Sequence, residues 1–192
     1  MLKGVPSHFG WGSCAKPERC VNPENQVADD LIRTVSRHTL SYVLCSISEL
    51  FRHYEFDPVD LLIIHAVLNA NVLNVMKDPV LDRQFGSVHT VEPDVVKLGV
   101  SRGSLVRFLN LPMETIRRRA NRLVKQGVLE ERPDGLIVSK GNQFRFGNNH
   151  ELQRTNIVFV RKLLKDLARV GVHSADDLSA FENERPEPLA DH

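Results

Sequence analysis

The chain has 192 residues, of which 42% are hydrophobic and 26% charged, and its formal net charge is +1. These proportions are typical of a globular protein in water, and the length supports one or two domains with a real hydrophobic core. Folding therefore requires neither a metal ion nor a disulfide framework, and three unevenly spaced cysteines do not form one. The net charge by itself indicates no class of partner.

The charges are segregated along the chain. Residues 24–60 carry seven acidic and three basic side chains, whereas residues 101–132 carry eight basic and three acidic ones. From residue 173 onward, six acids stand against one arginine. A basic segment of this kind indicates local contact with a polyanion, which the near-zero net charge conceals.

The first 25 residues contain glycine and proline without periodicity, and we expect a flexible arm over residues 1–25. The spacing of His8, Cys14 and Cys20 in this arm matches no strong zinc signature, so we predict no metal site. The arm has no apolar segment typical of a secretory signal. The most apolar stretch, residues 58–76, is too polar and too short to span a bilayer. We therefore predict a cytoplasmic protein with no membrane partner.

Helical periodicity predicts a long helix from Val27 to about Tyr54 that is apolar on two sides. The first apolar stripe consists of Leu31, Val35, Tyr42, Ile47, Leu50 and Tyr54, and the second of Ile32, Leu40, Val43 and Leu44. A helix with two apolar sides packs inside a bundle or against another subunit. It is our candidate dimer surface, and packing on the next helix of the same chain is the alternative.

Two Asp-Pro pairs mark further helix starts, because an N-cap carboxylate followed by proline favours the first turn. The first, at residues 57–58, begins a helix to about Met76 that is apolar nearly all round and that we expect at the centre of the domain. On it, His65 and Asn69 share a face and are candidates for an effector pocket, although satisfied core polar groups are the commoner explanation. The second, at residues 78–79, begins a short helix, and residues 86–99 form a connecting loop.

Residues 101–127 have the pattern of two short helices joined by a tight turn. Ser101 is placed to cap the first helix, whose predicted buried side is Leu105, Phe108 and Leu109. We expect a left-handed backbone at Asn110, where the chain must turn sharply. Pro112 opens the second helix, and Gly127 ends it. The apolar face of this second helix is Ile116, Ala120, Leu123 and Val124.

Two short strands, Val128–Leu129 and Leu136–Val138, follow and are joined by a turn over residues 133–135. Helix, turn, helix and hairpin are the order of a winged helix-turn-helix. The run LNLPMETIRRRANRLVKQGVLEE resembles bacterial winged-helix transcription regulators, MarR-like in the broad sense, with Asn110 in place of their usual glycine. The resemblance covers about 40 of the 192 residues. It implies a winged-helix fold that binds duplex DNA.

The side of the second helix opposite its apolar face is polar and cationic. It presents Met113, Glu114, Arg117, Arg118, Asn121 and Arg122. We expect Arg117 and Asn121 nearest the bases, since arginine pairs with guanine and asparagine with adenine, and the other two arginines nearer the phosphates. Thr115, at the helix N-terminus, is placed to meet a phosphate. Arg132, beside the hairpin turn, is placed to reach an adjacent minor groove or the backbone.

Other interpretations of the basic segment remain open. Basic helix faces are often only solvated, and Arg119 is expected to be of that kind or paired with an acid such as Glu130. A winged helix also serves as a protein-interaction module, docking an acidic partner or an acidic segment of its own chain. A third alternative is a ligand-sensing regulator, or an enzyme-like domain, whose small molecule binds within residues 26–98.

Beyond the hairpin we predict an amphipathic helix over residues 151–170, ended by Gly171, and a short helix started by the capping box of residues 174–177. The basic side chains of the helix over residues 151–170 are expected to be solvated. The acidic, proline-containing end from residue 182 is expected to be disordered.

The sequence thus predicts a mainly α fold with a small β-hairpin wing, that is, a winged helix-turn-helix with an N-terminal helical domain. The predicted parts are the arm (1–25), a helical dimerisation or sensing region (26–98), the winged helix-turn-helix (99–150), C-terminal helices (151–181) and an acidic tail (182–192). We expect a sequence-specific regulator of transcription that binds double-stranded DNA and forms a homodimer. A small-molecule effector of unknown identity is a further candidate partner. No phosphate-binding glycine loop, nucleophile elbow or carboxylate pair is present, so we predict no enzyme activity, catalytic residue or cofactor.

Overall fold

The computed structural model describes residues 23–178, with side chains from residue 31. The long helix, α1, spans Pro23–His53 and so includes the last three residues of the expected arm. The rest of that arm, with His8, Cys14 and Cys20, lies outside the described residues, as does the expected acidic tail.

The central helix, α2, spans Pro58–Asn71, and the carboxylate of Asp57 caps it by accepting from the amide of Val59 at 2.8 Å. The predicted continuation to Met76 is wrong, because α2 ends at Asn71 and a separate short helix, α3, covers Leu73–Lys77. The carbonyl of Asn71 accepts a hydrogen bond from the amide of Leu98, which turns this helix end toward a distant segment. Helix α4, Pro79–Phe85, begins at the Asp78 cap as expected. Residues 86–99 form the predicted connection, with a short 3-10 turn at Asp94–Val96.

Helices α5, Arg102–Leu109, and α6, Met113–Lys125, are the two short helices that the sequence predicts on either side of a tight turn. The hydroxyl of Ser101 caps α5, and Asn110 has the expected left-handed backbone, with φ 50° and ψ 43°. One prediction on α5 is wrong: the side chain of Phe108 is 70% exposed rather than buried. Helix α5 faces the core with Leu105, and Val106 and Leu109 pack against the same cluster. Phe108 lies outside this core-facing side of the short helix.

Strands β1, Leu129–Arg132, and β2, Gly135–Val138, form an antiparallel hairpin in which Leu129 pairs with Val138. Val100, just before α5, adds one antiparallel bridge to Leu136. The approach is so close that a Cβ on Gly135 would lie 2.7 Å from the backbone of Val100. The described residues are therefore mainly helical with a small antiparallel sheet, as the sequence predicts.

Helix α2 lies at the centre of the fold, as its apolar sequence predicts. Its side chains Leu61, Ile63, Ile64 and Val67 are almost completely buried. They pack against α5, α6 and β2 in one hydrophobic cluster. A stacked pair, Tyr54 and Phe146 with ring centroids 4.2 Å apart, extends this cluster toward the loop that follows the hairpin.

Asn71 is the one polar side chain among the largest fully buried ones in the described part of the chain. Its amide nitrogen donates to the carbonyls of Leu98 (2.7 Å) and Leu136 (3.2 Å), and its oxygen accepts from the amide of Val138 at 2.9 Å. One side chain therefore joins the end of α2, the segment before α5 and the inner strand of the hairpin.

Helix α7 spans His150–Arg169 and packs antiparallel on α1. The hydroxyl of Tyr42 donates to Asn156, and His38 lies 3.9 Å from Asp166 at the distal end of the pair. The structure therefore has α1 packed along α7 and not along α2, the alternative prediction. After α7, Asp177 accepts from the backbone amides of His173 and Ser174, and the second of these is one of the two bonds of the predicted capping box. The hydroxyl of Ser174 also donates to Asp177. None of the helices within residues 23–178 is long and apolar enough to cross a membrane.

Replacing Asn71 by leucine should lower the free energy of unfolding by about 3 kcal/mol, because the buried amide of Val138 and the carbonyl of Leu98 lose their side-chain partner, while the carbonyl of Leu136 keeps only the amide of Val100. Chemical denaturation measures this change. Asn69→Leu is the matched control, since Asn69 lies on the same helix but is exposed, and its effect should stay within about 0.5 kcal/mol. Equal effects of the two substitutions would contradict the role assigned to Asn71.

Candidate nucleic-acid interface

Helix α6 is held with one side in the core and the other in solvent. Ile116, Ala120 and Leu123 are completely buried. The opposite side carries Glu114, Arg118, Asn121 and Lys125, which follow each other at intervals of three or four residues and so share one face. We call these four residues the α6 outer face. Lys125 belongs to it although the sequence analysis placed it only within the basic segment; a helical projection extended by one more turn would have found it.

Two arginines of α6 turn toward the protein instead. The buried carboxylate of Asp60 binds Arg119 at 3.0 Å and also pairs with Arg122. Arg119 further contacts Asp57, whose pKa is held below its usual value by the hydrogen bond from Val59 and by this guanidinium. The expected pairing of Arg119 with an acid is thus present, but the acids belong to α2 and its cap rather than to Glu130. Arg122, predicted near the phosphates, is engaged by Asp60 with 48% of its side chain exposed.

Arg117 and Arg118 are both exposed but differ in their contacts. Arg117 donates two hydrogen bonds, of 2.8 and 2.7 Å, to the carboxylate of Glu114, and these bonds lower the pKa of that carboxyl. Arg118 forms no hydrogen bond or ion pair with any described residue. The guanidinium of Arg118 is therefore available to a partner at once, whereas that of Arg117 must first leave Glu114 or bind together with it.

Asn121 is connected to α5 and the hairpin through Arg102, which the sequence analysis did not select. Arg102 donates to both carboxylate oxygens of Glu131 and, at 2.9 Å, to the side-chain oxygen of Asn121. The hydrogen bonds from Arg102 lower the pKa of Glu131. The amide oxygen of Asn121 is therefore occupied, and its amide nitrogen is the group left to contact a ligand.

Arg132 points toward the segment before α5. It donates to the carbonyl of Asp94 at 2.7 Å and lies 3.1 Å from Asp134, which in turn accepts from the amide of Gly99. A Cβ on Gly99 would lie 2.7 Å from the backbone of Asp134, so the hairpin turn is packed closely on this segment. The expected contact of Arg132 with a groove stays a prediction, and in this structure its guanidinium is bound within the chain.

The remaining predicted residues lie near the start of α6. Met113 is 50% exposed, and Thr115 is half-buried. Met113 and the exposed Phe108 stand on either side of the α5–α6 turn, so apolar surface lies beside the cationic face.

Comparison with known proteins gives no assignment: no family model, curated protein or solved structure matches the chain. Within residues 23–178, no group of three or more histidine, cysteine, aspartate or glutamate side chains could hold a metal ion. The arrangement of α6 is consequently the main guide to function.

Asp60→Asn should lower the free energy of unfolding by about 3 kcal/mol, because it removes the buried charge that pairs with Arg119 and Arg122 and leaves Arg119 only the more exposed Asp57. Urea unfolding of both forms measures the loss. Glu130→Gln removes the same charge from an exposed position on β1 and should change stability by less than about 0.5 kcal/mol. If Asp60→Asn were as mild as this control, the ion pairs would not be what holds α6 in place.

Proposed function

We propose that this protein is a cytoplasmic regulator of transcription that binds duplex DNA through a winged helix-turn-helix. The order of elements supports the proposal: after α2, α3 and α4, the bridge at Val100, α5, α6 and the β1–β2 hairpin follow each other as strand, helix, helix and wing. The turn between α5 and α6 covers residues 110–112 and contains the left-handed Asn110, and a turn this short supports the proposed motif.

The observation that carries the proposal is the α6 outer face. Arg118 and Lys125 project from it without a hydrogen bond or ion pair to any described residue, while Asp57 and Asp60 are bound on the opposite side of the helix. The major groove of DNA, about 12 Å wide, admits one helix, and cationic side chains there release counterions from the phosphates.

The contacts found for each side chain refine the expected roles. Arg118 lies at the middle of the outer face, so we assign it a DNA contact ahead of Arg117. Arg117 and Glu114 form a hydrogen-bonded pair at the start of α6, where an arginine would meet guanine and a glutamate the amino group of cytosine. Arg122 acts mainly by holding α6 on α2. The hairpin contributes little positive charge, since Glu130, Glu131 and Asp134 are its exposed charged side chains.

Arg118→Ala should weaken binding to a mixed-sequence duplex by at least tenfold at low salt. The slope of log affinity against log salt concentration should fall by about 0.9, the value for one lost phosphate contact. Fluorescence anisotropy over a salt series measures both quantities. Arg83→Ala is the matched control, because it removes an exposed arginine from α4 with the same change of charge. Equal losses for the two variants, or binding that ignores salt, would contradict the proposal.

A homodimer is the second part of the proposal, and its support is the free side of α1. The side that contacts α7 includes Tyr42 and His38, whereas the second apolar stripe faces the other way. In that stripe the side chains of Leu40, Val43 and Leu44 are 58, 45 and 56% exposed. Phe51, two turns after Leu44, extends the stripe, and its side chain is 47% exposed. An exposed apolar stripe over three turns of a 31-residue helix is suited to a second copy of itself.

Leu44→Lys should convert a dimer to a monomer, because it places a charge in the middle of the stripe. Sedimentation velocity shows the change of mass. Val80→Lys, which alters a 73% exposed valine on α4, should leave the dimer intact. The dimer should also bind half-sites spaced by about 34 Å, one turn of DNA, or by a multiple of it. A wild-type protein that sediments as a monomer at all concentrations would exclude this part of the proposal.

A protein-interaction module is the other candidate function, and the exposure of Phe108 and Met113 favours it. Apolar side chains beside a charged face are typical of protein interfaces. The two functions separate in a mobility-shift assay with genomic fragments, in which the module would retain no duplex.

A further inference from the structure

A cleft of about 270 Å³ lies where α1, α2 and α7 meet, on the side of α2 away from α6. Its walls are apolar: Leu50 comes from α1, and Leu152 and Phe159 come from α7. The volume is close to the lower end of the range for small-molecule sites, about 300–1,000 Å³. His65 lines the cleft as the sequence analysis considered, whereas Asn69 is exposed and does not.

The hydrogen bonds of His65 fix which of its nitrogens is free. Its Nδ1 lies 2.8 Å from the carbonyl oxygen of Leu61, which can only accept, so Nδ1 carries the proton and Nε2 carries a lone pair. Burial lowers the pKa of the ring and keeps it neutral at physiological pH. His65 therefore offers the cleft a hydrogen-bond acceptor.

The other polar side chains also present mostly acceptors. The Glu49 side chain is only 12% exposed; Arg52 binds one of its carboxylate oxygens at 3.0 Å, and Nδ1 of His53 lies 3.6 Å from the other. Gln153 uses its amide nitrogen on the carbonyl of Gly147, which leaves its oxygen free. Asn156 accepts from Tyr42 and so keeps its nitrogen as a donor. Ser46 donates its hydroxyl proton to the carbonyl of Tyr42 and keeps its oxygen as an acceptor. The cleft thus combines apolar walls with four acceptors, one of them anionic, and one amide donor.

We propose that this cleft binds a small apolar amine. The apolar body lies against Leu50, Leu152 and Phe159, the ammonium group pairs with Glu49, and an N–H or O–H group of the ligand donates to Nε2 of His65. An anionic ligand of the same shape is excluded by the carboxylate of Glu49. The proposal does not depend on DNA binding, since all the residues involved lie on α1, α2 and α7.

Tryptamine, indole-3-acetate and indole are the probes, because they share one apolar body and differ in charge. Calorimetric titration of the full chain, without DNA, should show saturable binding of tryptamine and at least tenfold weaker binding of the other two. Glu49→Gln should weaken tryptamine binding at least tenfold without affecting indole. Glu130→Gln, the same change on the exposed face of β1, should leave the tryptamine affinity unchanged.

Amide chemical shifts of the wild-type protein provide a readout that does not rely on variants. Tryptamine should move the resonances of Glu49, His65 and Gln153 and leave those of the α6 outer face in place. The proposal is overturned by absent tryptamine binding, by equal affinity for indole-3-acetate, by equal effects of the two glutamate substitutions, or by shifts confined to another surface.

Discussion

The carboxylate of Asp60 determines what α6 can present to a partner. Only 3% of Asp60 is exposed, and a buried charge of this kind is costly unless its oxygens are paired. Arg119 and Arg122 provide that pairing, and both must therefore turn toward α2. Successive residues of a helix are separated by a fixed rotation. Once Arg119 and Arg122 are bound to Asp60, the directions of the other side chains of α6 are therefore fixed as well. The outward position of Arg118 and Lys125 follows from a contact made on the opposite side of the helix.

Local signals in the sequence were sufficient to predict most of the element boundaries. The caps at Asp57, Asp78 and Ser101 and the left-handed turn at Asn110 involve only neighbouring residues, and the structure has all four. The early end of α2 was not predictable in this way. It depends on Asn71 binding Leu98 and Leu136, which lie 27 and 65 residues further along the chain, and one asparagine in an apolar run gives no sign of such partners.

The candidate site divides in the same manner. A helical projection separates the buried residues of α6 from the outward ones, and it placed Arg118 correctly on the exposed side, whereas Asn121 is half-buried against Arg102. It contains no information about acids on other elements. Two arginines therefore had no visible partner in the sequence. Arg122 pairs with Asp60, 62 residues away, and Arg132 binds the carbonyl of Asp94, 38 residues away. The exposure of Phe108 was missed because a helix of two turns gives too short a period to fix its buried side.

Helix α2 connects the two proposed sites, since Asp60 binds α6 and His65, five residues later, lines the cleft. Five residues of helix span only about 7.5 Å. A ligand changes the affinity of a protein for DNA only when two conformations of the protein bind the ligand with different affinities. Because Asp60 binds α6 to α2, a movement of α1 and α7 against α2 would change the shape of the cleft without changing the contacts between α2 and α6. Since α1 also carries the proposed dimer face, a bound amine would act on the spacing of two α6 helices rather than on the contacts of either one.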